Sequence, residues 1–259
     1  MAANGCDRFI VLTLNVLDTM QTISADTICS GEPYTFNGQT LITTGTYRDT
    51  LMAANGCDSF LVLNFVVQAC DWGDLPDTSA MTNAGDYQTT RANNGPVHVI
   101  IPGLSLGAIV DGETDGQPSA DALGDENDEK DEDGLTIFPS LDIKLGSTFR
   151  LPLTVTNTTG DTAYVEAWID WNGDGDFDDA NEMVVDLKDN AGGNFPSNIS
   201  MTVPTNATNG LIGVRIRVSH TDNMTPYGQI GTGEVEDYLI GIECPSIICI
   251  PVTVDIRRQ

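Results

Sequence analysis

Residues 231–242 read GTGEVEDYLIGI, and this stretch decides the fold. Its alternating residues form two sets on opposite faces of a β-strand: Glu234, Glu236 and Tyr238, and Val235, Asp237 and Leu239. Asp237 therefore points inward among apolar neighbours, where a carboxylate needs a partner. That partner is Arg215 or Arg217 from LIGVRIRVS at 211–219, or else a bound cation. We favour the arginine pair.

Similar alternation recurs along the second half of the chain. Turn residues separate six short runs: STFRLPLTV (147–155), AYVEAWIDW (163–171), EMVVDL (182–187), NISMTV (198–203), LIGVRIRVS and EVEDYLIGI (234–242). Such runs predict a β-sandwich, and helix signals are nearly absent. We predict an all-β chain in which a small, disulfide-stapled β repeat precedes a calcium-binding β-sandwich.

The composition limits the partners that this chain can have. Its 38 acidic residues against 11 Lys and Arg give a net charge of −27, which repels nucleic acid and anionic lipid headgroups. With 40% hydrophobic residues it can still bury a core. We see no signal peptide and no stretch of 18 apolar residues, so we expect no membrane insertion. The acidic, Thr-rich and Asn-rich composition favours a secreted or cell-surface location.

An acidic loop, DWNGDGDFDDANE at 170–182, is the sharpest motif. Ca²⁺ takes six to eight oxygen ligands, and Asp-x-Asn-x-Asp-Gly runs supply them at alternate positions. The predicted ligands are Asp170, Asn172, Asp174, Asp176, Asp178 and Glu182. An EF-hand would place its glutamate where Asn181 stands, and strands rather than helices flank the loop, so we reject a full EF-hand. The alternative is a solvated acidic hairpin.

A second acidic region, residues 111–133, contains eleven acids and only Lys130. It is either a disordered linker or the place of further cation sites, to which Asp71, Asp74 and Asp77 could contribute. The chain has only two histidines, His98 and His220, and neither lies in a zinc-binding spacing. There is also no GxSxG motif. We therefore expect a protein without catalytic activity.

The chain begins with an internal repeat. MAANGCDRFIVLTLNV at 1–16 recurs as MAANGCDSFLVLNFVV at 52–67, so Met1 corresponds to Met52 and we expect a piece of a longer protein. We predict five segments: the last strand of a preceding repeat at 1–17, an immunoglobulin-like β repeat at 18–69, an acidic loop-rich module at 70–134, the β-sandwich at 135–243, and the start of a further element or assembly strand at 244–259.

The strand 60–67 should place Leu61, Leu63 and Phe65 on one buried face. Its copy at 9–16 lacks upstream partner strands, so we expect it to complete a sheet of a neighbouring module or of another copy of the chain. The apolar tail at 245–259 is the candidate for the opposite half of that contact. Assembly of this kind would build a filament.

Six cysteines lie far apart without a CxxC pair, which favours disulfides over buried thiols or zinc. A bridge from Cys29 to Cys57 would close the repeat, and a bridge from Cys70 to Cys244 would close the larger domain. Cys6 and Cys249 could lock the proposed contact between copies.

The letters GEVEDY at 233–238 resemble the signature of the bacterial GEVED domain, and DWNGDGDF at 170–177 is similar to that family as well. The resemblance covers residues 70–243. The front repeat is similar to repeats of giant secreted proteins of Bacteroidota, which are typically adhesin-like. The resemblance implies a structural or adhesive module of a surface protein or fibre, whose partners are neighbouring modules or other copies. The alternative is a calcium-dependent carbohydrate-binding module that recognises surface glycans through Trp171 or Tyr227.

Overall fold

The computed structural model describes residues 11–13, 19–52, 56–77, 86–124, 133–135, 143–189, 195 and 198–243. These residues form two compact units. The first comprises the described residues up to Ile28 together with residues 32–67. The second comprises residues 29–31 and the described residues from Gln68 onward. The predicted all-β class is confirmed, because strands dominate both units and one 3₁₀ turn, Arg91–Asn93, is the helical element among the described residues.

Five strands build the first unit, of which the first and the last end one residue inside the second unit: β1 (Met20–Cys29), β2 (Tyr34–Phe36), β3 (Gln39–Leu41), β4 (Gly45–Met52) and β5 (Asp58–Gln68). The sheet order is β1-β5-β4, and β2 pairs with β3 in a hairpin. Asn37 and Gly38 form the turn of that hairpin with φ values of 44° and 84°. Two consecutive left-handed residues match the twist of the flanking strands, which explains the Asn-Gly pair.

The core of the first unit is small. Its buried side chains are Ile28, Leu41, Leu63 and Phe65, and Tyr34, Phe36, Tyr47 and Val67 pack against them. Leu63 and Phe65 lie on the predicted inner face of β5, with Leu61 half-buried on the same side. The ring of Tyr34 stacks 4.8 Å from that of Phe65. A cluster of this size leaves little stability to spare, as expected for about 50 residues.

Eleven strands build the described part of the second unit: β6 (Cys70–Trp72), β7 (Val97–Val99), β8 (Leu104–Leu106), β9 (Ile143–Lys144), β10 (Thr148–Leu151), β11 (Val155–Asn157), β12 (Tyr164–Ile169), β13 (Met183–Lys188), β14 (Ile199–Thr202), β15 (Gly210–Ser219) and β16 (Gln229–Glu243). The main sheet runs β13-β12-β15-β16-β7-β6, and β9 also pairs with β16. The pairs β8–β11 and β10–β14 form two small sheets.

Two apolar layers cover opposite faces of the main sheet. On one face, residues of β12, β15 and β16 pack against β8 and β10 in the largest buried cluster, which includes Leu106, Leu151, Val165, Ile216 and Ile240. This packing gives the predicted sandwich-like arrangement. On the other face, loop residues such as Leu75, Tyr87 and Phe177 cover Trp168.

Of the two arginines that the sequence offered as partners of Asp237, Arg215 forms the ion pair, and both side chains are 0% exposed. Arg215 donates from Nε at 2.8 Å and from Nη2 at 2.7 Å, which makes the contact bidentate. The other Arg215 donors reach loop oxygens, and Asp237 also accepts the N–H groups of Asp74 and Leu75 at 2.9 and 3.0 Å. The buried charges are therefore paired and hydrogen-bonded.

Gly233 precedes the acidic residues of β16 and has a φ of 152°. A Cβ atom there would collide with the carbonyl oxygen of Val218 on the neighbouring strand. Glu234 accepts the N–H of Leu106, and Glu236 accepts the N–H of Gly134 at 2.9 Å. The motif at 233–237 thus ties two covering segments to the main sheet, and it needs glycine at the position where a Cβ atom would meet the neighbouring strand.

A disulfide joins Cys29 to Cys70 across 41 positions of sequence. The predicted pairs Cys29–Cys57 and Cys70–Cys244 are therefore wrong. The physical reason is position: Cys29 ends β1 and Cys70 begins β6, and both are buried with Trp72 and Val97 in one cluster. Cys57 lies just before the first residue of β5, whereas Cys70 follows the last residue of that strand. Cys6, Cys244 and Cys249 lie outside the described residues.

The predicted assembly strand at 9–16 and the tail at 245–259 lie largely or wholly outside the described residues. Within that stretch Val11–Thr13 are described, and Val11 and Leu12 are 86% and 84% exposed. Burial of this stretch by another module or copy stays a prediction. Within the described ranges, no helix is long and apolar enough to span a membrane.

We expect Asp237→Ala to lower the free energy of unfolding of the second unit by about 3–5 kcal/mol, because it leaves the buried Arg215 unpaired. All three tryptophans, Trp72, Trp168 and Trp171, lie in this unit, so their fluorescence during urea unfolding measures it. The control is the exposed Asp161→Ala, with an expected change within about 0.5 kcal/mol. A loss below about 1 kcal/mol in Asp237→Ala would contradict the role of the pair.

Peptide mapping without reductant should recover a peptide in which Cys29 is linked to Cys70. The Cys57→Ser variant is the control, because it should leave that linked peptide in place. Recovery of a Cys29–Cys57 peptide from the wild type would refute the pairing.

Candidate functional site

The acidic loop joins β12 to the edge strand β13, so the predicted strand–loop–strand context is confirmed. Two glycines shape it: Gly173 and Gly175 have φ values of 70° and 96°. At Gly173 a side chain would also press against Thr208, which lies under the loop. The chain therefore turns tightly enough for several loop side chains to face the same volume.

Asp170 organises the first half of the loop from a buried position. Its Oδ1 accepts the N–H of Gly173 at 2.6 Å, and its Oδ2 accepts the N–H of Gly175 at 3.0 Å. The Tyr87 hydroxyl donates to the same Oδ2 at 2.7 Å and accepts the N–H of Gly213 at 2.8 Å. Burial and the nearby Asp170 raise the pKa of Tyr87, so the phenol stays protonated as a donor.

Asn172, Asp174 and Asp179 meet at the loop surface. The Asn172 amide nitrogen donates to Asp174 at 2.8 Å and to Asp179 at 2.5 Å. Asn172 Oδ1 accepts the N–H of Asp174 at 3.0 Å. One amide thus bridges two carboxylates that would otherwise face each other without a donor.

Glu182 is the buried member of the group and is 2% exposed. Its Oε2 accepts the N–H of Asp179 at 3.1 Å, whereas its Oε1 has no hydrogen-bond partner. Burial, and after it the charges of Asp170, Asp174 and Asp179, raise the pKa of Glu182 to about 7. A buried carboxylate oxygen without a donor is unfavourable unless a proton or a cation satisfies it.

A cavity of about 280 Å³ lies beside this group. Its lining residues are Trp171, Asn172, Asp179, Ala180, Asn181, Glu182, Pro204 and Asn206. Trp171 forms part of the wall but is only 7% exposed. Five of these eight residues carry side-chain oxygens, and the volume leaves room for a hydrated ion.

The predicted ligands Asp176 and Asp178 lie on another part of the loop. Asp176 accepts the N–H of Asp178 at 2.9 Å, and the Tyr227 hydroxyl accepts the N–H of Phe177 between them at 2.8 Å. Burial and then the charges of Asp178 and Asp176 raise the pKa of Tyr227 to about 12. These two carboxylates therefore face Tyr227, whereas Asp179 takes a place beside Glu182.

Of the predicted ligands, the structure brings Asp170, Asn172, Asp174 and Glu182 into one neighbourhood. Sequence reasoning missed Asp179 as a member and Tyr87 as the donor that holds Asp170. Asp179 was visible in the acidic run, but a fixed alternate spacing passes over it. Tyr87 lies 83 positions from Asp170 and left no local signal.

The second acidic region supplies acceptors for backbone groups. Asp115 accepts the N–H of Arg91 at 2.6 Å, and Asp133 accepts the N–H of Ala108 at 2.8 Å. Asp74 and Asp77, which were candidates for a cation site with this region, accept the N–H groups of Gly124 and Thr89. The described parts of residues 111–133 are thus attached to the domain, and residues 125–132 lie outside the described part.

The two histidines hold structural positions. His98 is buried on β7, where its Nε2 accepts the Nε–H of Arg217 at 2.8 Å. Burial lowers the pKa of His98 well below 6.5, so the ring is neutral. The Nδ1 of His220 hydrogen-bonds the carbonyl of Thr162 at 2.7 Å. Neither ring lies beside the acidic loop.

Comparison with known proteins gives one family match: residues 164–241 match the family model described as the GEVED domain. The match extends from the start of β12 into β16, so it includes the acidic loop, and the chain contains a GEVED domain over these residues. No curated protein and no solved structure matches the chain.

In chelator, the free energy of unfolding should fall as the pH rises from about 4.5 to about 7. The pKa of Glu182 in the folded state is raised above its ordinary value of 4.5. Protonated Glu182 therefore contributes its full share to the free energy of unfolding below pH 4.5, and this contribution is lost as Glu182 ionises in the folded state. Urea unfolding at several pH values should show a smaller fall in Glu182→Gln. Parallel pH profiles for the two proteins would contradict the assignment.

Proposed function

We propose that this chain is a structural, adhesive module of an extracellular surface protein or fibre, and that Ca²⁺ bound by the 170–182 loop stabilises it. The proposed ligands are Asp170, Asn172, Asp174, Asp179 and Glu182. This set replaces two of the sequence-predicted ligands, Asp176 and Asp178, with Asp179.

The supporting observation is the Glu182 carboxylate, which is buried and has one oxygen without a hydrogen-bond donor. Hard divalent cations satisfy such oxygens, and Ca²⁺ accepts carboxylate, amide and water oxygens in flexible arrangements. The amide of Asn172 now separates Asp174 from Asp179. Rotation of that amide would turn its oxygen toward the same space without moving the backbone.

The position of the loop means that a cation bound there would also stabilise the main sheet. It joins β12 to β13, and Thr208, from the segment before β15, donates to the carbonyl of Asn172. A cation that holds the loop closed would therefore hold the edge of the main sheet together. Such a cation would stabilise by mass action, because it binds the folded state and not the unfolded chain.

Three features support the extracellular part of the proposal. The Cys29–Cys70 disulfide suits an oxidising environment, and the net charge of −27 disfavours nucleic acid and anionic membranes as partners. Millimolar Ca²⁺ outside cells would occupy even weak sites.

A carbohydrate-binding module is less well supported. It would need an exposed aromatic ring beside the cation site. Trp171 is nearly buried, and the hydroxyl of the half-buried Tyr227 is engaged by Phe177 N–H. The described loop therefore offers no flat platform for a sugar ring.

Millimolar Ca²⁺ should raise the melting temperature of the second unit, followed by tryptophan fluorescence, and Asp174→Asn should reduce that rise. Saturation at 100 times the Kd would add about 2.7 kcal/mol to the free energy of unfolding. The matched control, Asp161→Asn, removes one exposed charge outside the loop and should respond like the wild type. If Asp174→Asn responds to Ca²⁺ as fully as Asp161→Asn does, the proposed site is wrong.

A further inference from the structure

A second group of carboxylates lies on the other side of β12 from the apolar sandwich core. Glu166 is directly opposite Asp186 of the edge strand β13 in the antiparallel register. Asp222 approaches from the loop that follows β15. One oxygen from each of these three residues lies within 4.8 Å of the others. Among the described residues, no three carboxylates of the 170–182 loop come as close together.

Glu166 is the buried member of this group and is 1% exposed, whereas Asp186 and Asp222 are exposed. The Glu166 Oε1 accepts the N–H of Met224 at 3.1 Å. Its Oε2 is buried and has no hydrogen-bond partner. A buried anionic oxygen without a donor, with two carboxylates beside it, requires a positive charge or a proton.

Among the described residues, no neighbouring basic side chain donates a hydrogen bond to the Glu166 carboxylate. Lys188 lies over the Tyr164 ring, 5.2 Å from its centroid. Arg217 pairs across the sheet with Glu166 in register, but its guanidinium donates to His98 and to backbone carbonyls such as that of Thr225. Within the part of the chain that the structure describes, Glu166 forms no salt bridge.

We propose that Glu166, Asp186 and Asp222 bind a divalent cation of the Ca²⁺ type, at a site separate from the 170–182 loop. Three carboxylates provide an all-oxygen ligand set, and water would complete the coordination on the exposed side. The burial of Glu166 and the charges of Asp186 and Asp222 raise the pKa of Glu166, which agrees with the need for a compensating cation.

The bound cation would fasten three separate pieces of chain. Glu166 belongs to β12, Asp186 to the edge strand β13, and Asp222 to the loop after β15. Like charges placed directly opposite each other on adjacent strands destabilise a sheet. A cation bound between the carboxylates would replace this repulsion with attraction, so it would stabilise the pairing of β12 with the edge strand β13.

The first test is calorimetric titration of the full chain with CaCl₂ alone. Asp186→Asn and Asp222→Asn should each lose one binding event or weaken it at least tenfold. Asp161→Asn, which removes an exposed charge just before β12, should titrate like the wild type. Titrations of Asp186→Asn and Asp222→Asn that superpose on that of Asp161→Asn would overturn the proposal.

The second test separates a cation site from simple repulsion by a change of sign. In EDTA, Asp186→Asn should melt at a higher temperature than the wild type, because one like charge is removed. In millimolar Ca²⁺ the order should reverse, because the variant has lost a ligand. A variant that is more stable than the wild type in both conditions would show repulsion without a cation and would overturn the proposal.

The titrations test the two proposed cation sites separately. Loss of one binding event in Asp174→Asn and of a different one in Asp186→Asn supports both. Loss in Asp186→Asn alone supports this inference and contradicts the calcium loop of the proposed function. Loss in Asp174→Asn alone overturns this inference and leaves the loop in place.

Discussion

The ion pair between Arg215 and Asp237 is the interaction on which the second unit depends. It connects β15 and β16, the two longest strands of that unit, and it has no access to water. Each remaining polar atom of the pair holds a covering loop: Arg215 reaches the carbonyls of Gln88 and Pro226, and Asp237 holds the N–H groups of Asp74 and Leu75. Because buried charges must be fully satisfied, the pair specifies where these loops lie.

The same chemistry explains much of the acidic composition. Asp71, Asp189, Glu234 and Glu236 are buried, and each accepts a backbone N–H from a segment without regular structure or from a strand. Long irregular segments expose many N–H groups, and carboxylates are the strongest acceptors available to them. A large share of the negative charge is thus structural. Glu166 and Glu182 differ from these four residues, because each keeps one buried oxygen without a hydrogen-bond partner and has other carboxylates beside it.

The sequence was sufficient where local pattern determines structure. Alternation predicted the strands, the inward position of Asp237 and the strand–loop–strand context of the acidic loop. It failed where distant segments meet. The disulfide depends on Cys29 and Cys70 being neighbours at the ends of β1 and β6, which loop-closure reasoning does not reveal. Likewise, Glu166 and Asp186 face each other only because of the β12–β13 register, which contains a bulge at Ala167 and Trp168.

The Cys29–Cys70 bridge also sets the path of mechanical load. Tension that enters along β1 reaches Cys29 and crosses the two sulfur atoms directly to Cys70. The chain between these residues, which holds β2 to β5, lies outside that covalent path, so it cannot be drawn out even after the hydrogen bonds between β1 and β5 break. When the chain is pulled from both ends, this segment would therefore stay unextended, and about 140 Å of extended chain would be withheld. Only reduction of the bridge would release it, so the redox state would determine how far the chain extends under load.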